Sequence, residues 1–117
     1  MVSLSGQSTD TTPVAEGPAG VFSFVARFCN RSTSPTLTSL FTRTRELTNG
    51  NSLVNRDRDG TGTPPGGVGS ELDFPLTPDY DDGQLAPQEC VDVPYEIGLA
   101  VRKRFRFTVD PYGYSVP

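Results

Sequence analysis

The 117-residue chain contains no histidine and no tryptophan, one lysine, one isoleucine and two cysteines. Without histidine there can be no Ser-His-Asp or Cys-His nucleophile system, and two cysteines as far apart as Cys29 and Cys90 do not make an ordinary zinc site. The glycine-rich stretch "GTGTPPGGVG" lacks the Gly-Lys-Ser/Thr ending of a phosphate loop, and no helical pattern follows it, so nucleotide-binding motifs are missing too. No apolar run reaches the roughly 18 residues of a membrane-spanning helix, so no membrane insertion is expected. Residues 1–20 have neither a basic nor an apolar targeting region, and no signal peptide is expected there. With no aromatic platform for a sugar, the chain is expected not to be an enzyme. Asp73, Asp79, Asp81 and Asp82 are the carboxylates from which a small carbohydrate-active hydrolase would have to draw its pair.

What is present points to one small β-domain. Leu, Ile, Val and Phe number 28 of 117, enough for a single core and above the level at which disorder becomes the default. Gly 12 and Pro 11 make about a fifth of the chain, which favours strands and turns over helices. The net charge of −4 argues against a nucleic-acid partner, whose footprint is normally basic, and suits a chain that must stay dispersed.

Residues 1–20 read as an extended, polar arm in which "VSL" is the strand-forming part. In "VFSFVARFC" (21–29), Phe22, Phe24, Ala26 and Phe28 share one face at period two. "TLTSLFTRTREL" (36–47) is Thr-rich and β-prone, with Leu37 and Phe41 opposite Leu40. An Asn-Gly turn then opens a long Gly/Pro-rich loop, 48–71, followed by "ELDFPL", where Pro75 marks an edge strand. "CVDVPYEIGLAV" carries Val91, Val93, Tyr95, Ile97, Leu99 and Val101 on one face, and the parity continues through Phe105, Phe107 and Val109. One strand of that length, about 60 Å, would not fit a domain this small, so a reversal is expected between Gly98 and Lys103. Several short strands separated by turn clusters predict an all-β sandwich over 21–117, preceded by the arm.

Four groups of residues could carry function. Asn55, Asp57 and Asp59 with Gly60 have the alternating oxygen donors and sharp bend of a Ca²⁺ loop, to be closed by Glu71 or by Asp79, Asp81 and Asp82. Against this, Gly66 stands where a bidentate Glu belongs, and the plainer reading is a solvated turn in which Arg56 and Arg58 neutralise the acids. No cofactor is expected apart from such a Ca²⁺. Cys29 ends one strong strand and Cys90 begins another; a disulfide across the core is expected in an oxidising setting, with two separate buried thiols as the alternative. "VRKRFRF" sets Arg102, Arg104 and Arg106 against Phe105 and Phe107, which reads as the wet face of an amphipathic strand, not a single-strand nucleic-acid platform. Asn30-Arg31-Ser32 is a glycosylation sequon.

The order "VFSFVARFCNRS", "GQLAPQECVDVPYEIGL", "RFRFTVDPYG" resembles immunoglobulin-like modules of bacterial and archaeal surface proteins, including cell-adhesion-related ones, over about residues 20–113. Leu85, Ala86, Pro87, Gln88 and Glu89 match a turn of those modules that usually has Gly where this chain has Gln88. The resemblance implies a non-catalytic structural or adhesive module. The expected function is therefore a β-sandwich subunit of an extracellular or virion assembly, a filament subunit or capsid decoration, partnered by copies of itself or by other subunits. Its contacts are expected at Val2, Ser3 and Leu4 of the arm, at the long loop, and at Tyr112 and Tyr114 of the tail. The alternative is a monomeric adhesion or ligand-binding module of a larger surface protein, its loops stiffened by Ca²⁺.

Overall fold

Strict apolar alternation makes β2 (Val21–Cys29) and β7 (Cys90–Gly98) the centre of the first sheet, paired antiparallel along their whole length from Val21↔Gly98 to Cys29↔Cys90. The computed structural model describes residues 2–31, 35–60, 65–80 and 83–116. β1 (Val2–Asp10) pairs antiparallel with the outer edge of β2, with a register shift between Ser5 and Ser8, and β4 (Ser52–Leu53) pairs with the far side of β7. The order is β1-β2-β7-β4. The arm is thus a strand to Asp10, well beyond "VSL", and it completes the chain's own sheet.

In the second sheet, β3 (Thr36–Leu47) is central. β8 (Phe107–Val116) pairs with it from Thr36↔Val116 to Leu47↔Phe107. The other side of β3 is shared by two short strands, β5 (Glu71–Asp73) against Phe41–Arg43 and β6 (Gln84–Leu85) against Leu37 and Thr38. Ser39, at a positive φ of 55°, sits at a register shift between Thr38 and Phe41. That bulge resets the parity, so Leu37 and Leu40 both reach the core while Phe41 lies on the outer face. From Leu40 onward the inward residues are Leu40, Thr42 and Thr44.

The two sheets meet through aromatic contacts and buried hydroxyls. Phe24 and Tyr95 of the first sheet lie against Phe107 of the second, with ring centroids 6.1 and 5.4 Å away, and Phe28 lies 5.0 Å from Phe74. The Tyr95 hydroxyl is 2.7 Å from Thr42 Oγ1, and Ser70 Oγ donates to Thr44 Oγ1 at 2.9 Å, so the polar atoms of this Thr-lined face are paired. Burial pushes the Tyr95 phenol up to about 12, the Thr42 bond opposing the shift. Val91, Val93, Tyr95, Ile97 and Leu99 are all buried as their alternation requires, whereas Val101 has turned outward. The chain leaves the first sheet after Gly98 and enters the second at Phe107, which places the reversal in 99–106.

Cys29 and Cys90 form a disulfide. It joins directly opposed residues of two neighbouring strands in one sheet, not the two faces of the core, because the β2–β7 register puts the cysteines side by side. Asn30, first residue of the sequon, is 3% exposed, and its side-chain amide donates to the carbonyls of Pro35 and Leu85. That nitrogen is a structural clamp and is not presented for glycosylation; Ser32 lies outside the described residues. Gln88 has a positive φ of 71°, a conformation that glycine adopts at less cost.

Candidate functional site

The described parts of the 48–71 segment, 48–60 and 65–71, are not a free loop. The backbone of Asp57 and Arg58 bonds that of Glu71, Leu53 N–H donates to Gly66 O at 2.7 Å, and Gly69 N–H donates to Thr44 O at 2.8 Å. The two limbs touch closely at Gly60, where a Cβ would overlap the backbone of Val68 and Gly69. The segment is folded back on itself and on β3.

The three oxygen donors of the expected Ca²⁺ loop have three separate tasks. The Asn55 side chain donates to Pro94 O at 2.9 Å and accepts from Glu96 N–H at 3.2 Å, which fixes it to β7. Asp57 accepts the Asp73 N–H at 2.7 Å. Asp59 pairs with Arg56. Among the described residues no group of three His, Cys, Asp or Glu gathers as a metal site. Of the closing acids, Glu71 is taken by arginine; the Asp79 side chain, Asp81 and Asp82 lie outside what is described. In this arrangement the partners of Asn55, Asp57 and Asp59 are backbone groups and a guanidinium.

Two arginines organise the segment. Arg56 has a side chain only 14% exposed and holds Glu16 with two bonds of 2.8 Å, pairs with Asp59, and donates to Leu53 O at 2.9 Å. It therefore ties the arm-to-β2 connection to the loop. Arg58 bridges Glu71 at 2.6 Å and Asp73 on β5, while Arg43 of β3 holds the other Glu71 oxygen at 2.7 Å. The planar fork of arginine suits such paired contacts, and lysine would not reproduce them. Bonds from Arg56 hold the Glu16 carboxyl below its ordinary value, and bonds from Arg58 and Arg43 do the same for Glu71.

The sign of the pH effect follows from these shifts. A carboxyl whose folded value is depressed stabilises the fold above its ordinary value of 4.5, and that contribution disappears as pH falls through the folded value. Thermal melts of the wild type should lose stability steeply below about pH 4.5, and Glu71→Gln should be less stable at pH 7 with a shallower acid slope. Replacing Arg56 with Ala should lower the unfolding free energy by about 2 kcal/mol, since it strips partners from Glu16, Asp59 and a loop carbonyl together. Urea denaturation of the variant measures this.

The outer face of the second sheet carries a ladder of rings and cations. Tyr112 stacks on Phe41 at 5.3 Å, Arg43 lies 4.9 Å over Tyr112, and Arg58 lies 5.6 Å over Phe41. Tyr112 is thus engaged within the chain, while Tyr114 is 68% exposed. The 99–106 connection is pinned to the arm side by Arg102, which donates to Ala19 O at 3.0 Å. Arg106 pairs loosely with Glu46 at 3.8 Å.

The sheet edges differ in how they are protected. β4, β5 and β6 are two or three residues long. β8 is long, but its exposed edge includes Asp110 and Pro111. β1 is long, has no proline and no charge before Asp10, and every side chain described in it is exposed. Val2 and Ser3 pair with Phe28 and Arg27 through the backbone, and Leu4 with Ala26. Leu4 shares the inward-facing side with Ala26, yet it is 55% exposed. An apolar groove opens there, between β1 and β8. Compared with protein-family models, with curated proteins and with solved structures, the chain gives no match in any of the three.

Proposed function

We propose that the protein is a non-catalytic structural subunit, an immunoglobulin-like β-sandwich of an extracellular or virion assembly, and that β1 is the edge through which it assembles. The observation that carries the reading is the state of that edge. Natural proteins blunt long exposed strands with charge, proline, shortness or cover, because unpaired N–H and C=O groups recruit another strand. Here β8 has charge and proline, and the remaining edge strands are short, while β1 offers Val2–Asp10 with only one register irregularity.

Strand addition at β1 depends on main-chain bonds and needs little side-chain specificity, which fits a strand in which six of nine residues are Ser, Thr, Gly or Gln. Antiparallel β1–β1 pairing would give a closed twofold dimer, and pairing with a different edge would give an open filament. The disulfide supports an oxidising location such as the cell exterior or a virion surface. The Arg56 and Arg58 contacts turn the long loop inward onto its own chain, so the arm and not the loop bears the assembly reading.

The variant Ser5→Lys/Ser8→Lys tests it. Both side chains are exposed, so the fold should survive, while two cations on the edge should oppose strand addition. Light scattering should give a mass well above 12.6 kDa for the wild type and the single-chain mass for the variant. A wild type that stays at the single-chain mass at every concentration would favour the monomeric adhesion or ligand-binding module instead.

A further inference from the structure

The groove between the inner face of β1–β2 and strand β8 has a volume of about 610 Å³. Its walls are apolar: Phe22, Phe24 and Phe28 from β2, Phe105 and Phe107 from the second sheet's entry, and Leu4 from β1. Phe22 lies edge-on to Phe105 at 5.8 Å, so the aromatic wall is continuous from one sheet to the other. The volume falls within the range of about 300–1,000 Å³ that holds small ligands.

The charges at the groove all have one sign. Among the described residues Lys103 and Arg104 line it and no Asp or Glu does, and this in a chain whose net charge is −4. Six other arginines make ion pairs, but among the described residues neither Lys103 nor Arg104 has one. An apolar slot with uncompensated cations is complementary to a molecule with an apolar tail and an anionic head.

We infer that this groove binds a free single-chain anionic amphiphile, its hydrocarbon tail against the phenylalanines and its carboxylate or sulfate at Lys103 and Arg104. A slot bounded by the edges of two sheets suits one tail, which favours a free amphiphile over a two-tailed lipid in a bilayer. The tail is held by removal of apolar surface from water, and the head adds selectivity through partly exposed charge pairs.

The test is calorimetric titration of the full chain with decanoate and with 1-decanol. Decanoate should bind saturably, one per chain, about tenfold more tightly than decanol, the scale expected of two partly exposed charge pairs. Lys103→Gln/Arg104→Gln, both surface changes, should bring the two affinities within about twofold of each other. Leu4→Trp, which places a ring in the slot from an exposed position, should weaken both ligands alike. Absence of saturable binding, equal affinities in the wild type, a preference that survives loss of both cations, or association with anionic phospholipid vesicles but not with decanoate would each overturn the inference.

Discussion

Breaking the Cys29–Cys90 bridge should lower the unfolding free energy by about 4 kcal/mol, the largest change expected from any single covalent feature of the chain. The bridge spans 61 positions, so in its absence the unfolded chain regains the freedom of a long loop. A domain of this size has about 5–15 kcal/mol to lose, so the reduced protein should be marginal at 37 °C. Urea titration of Cys29→Ala/Cys90→Ala measures the effect. Because the cysteines are neighbours on paired strands, the β2–β7 ladder should persist in the reduced native state, and the loss should appear as a lower midpoint with the core's near-ultraviolet signal intact at low urea.

Gly98→Ala should cost about 3 kcal/mol, the upper end of ordinary overpacking. Gly98 closes β7, and a Cβ there would overlap the Glu16 carbonyl oxygen and crowd Val54. Neither neighbour can yield cheaply. The Glu16 region is held from the other side by Arg56, and Gly17, one residue on, packs its own backbone against Gly98. The alanine should therefore push the arm connection off the sheet and loosen the Glu16–Arg56 pair. A double-mutant cycle with Arg56→Ala should show coupling well above the few tenths of a kcal/mol expected of independent sites.

Where burial is one-sided, the strands were legible in the sequence. β2, β3 and β7 fall on the expected segments because period-two apolar residues or dense β-branched Thr marks them. β1 beyond Leu4 was not, since a strand exposed on both faces carries no apolar alternation to detect. The β3 core face was obscured in a different way. Its inward residues include Thr42 and Thr44, and the bulge at Ser39 shifts the phase within the strand.

The long segment shows why composition misleads about loops. Its Asn and Asp spacing allowed an ion, and the plainer reading set Arg56 and Arg58 against the neighbouring acids; those arginines do hold the segment, but through Glu16, Glu71 and Asp73, which lie 13 to 40 positions away. Nothing local marks such pairs. One signal was available for the disulfide: β2 and β7 are equal in length and each has its cysteine at one end, which is what a fully registered antiparallel pair requires. The groove depends on β8 stopping short of covering β1, a property of two sheet widths that no local sequence window contains.

The claim that β1 is the assembling edge is tested most directly by amide hydrogen exchange over Val2–Asp10, read residue by residue in the wild type and in Ser5→Lys/Ser8→Lys. In an isolated chain the amides of β1 that face away from β2 have no strand partner and should exchange quickly, while those facing β2 are protected. The account predicts protection of both sets in the wild type at assembling concentrations, and of the β2-facing set alone in the lysine variant. Rapid exchange of the outward amides in a wild type of high mass would contradict it, for the chain would then be assembling through some other surface.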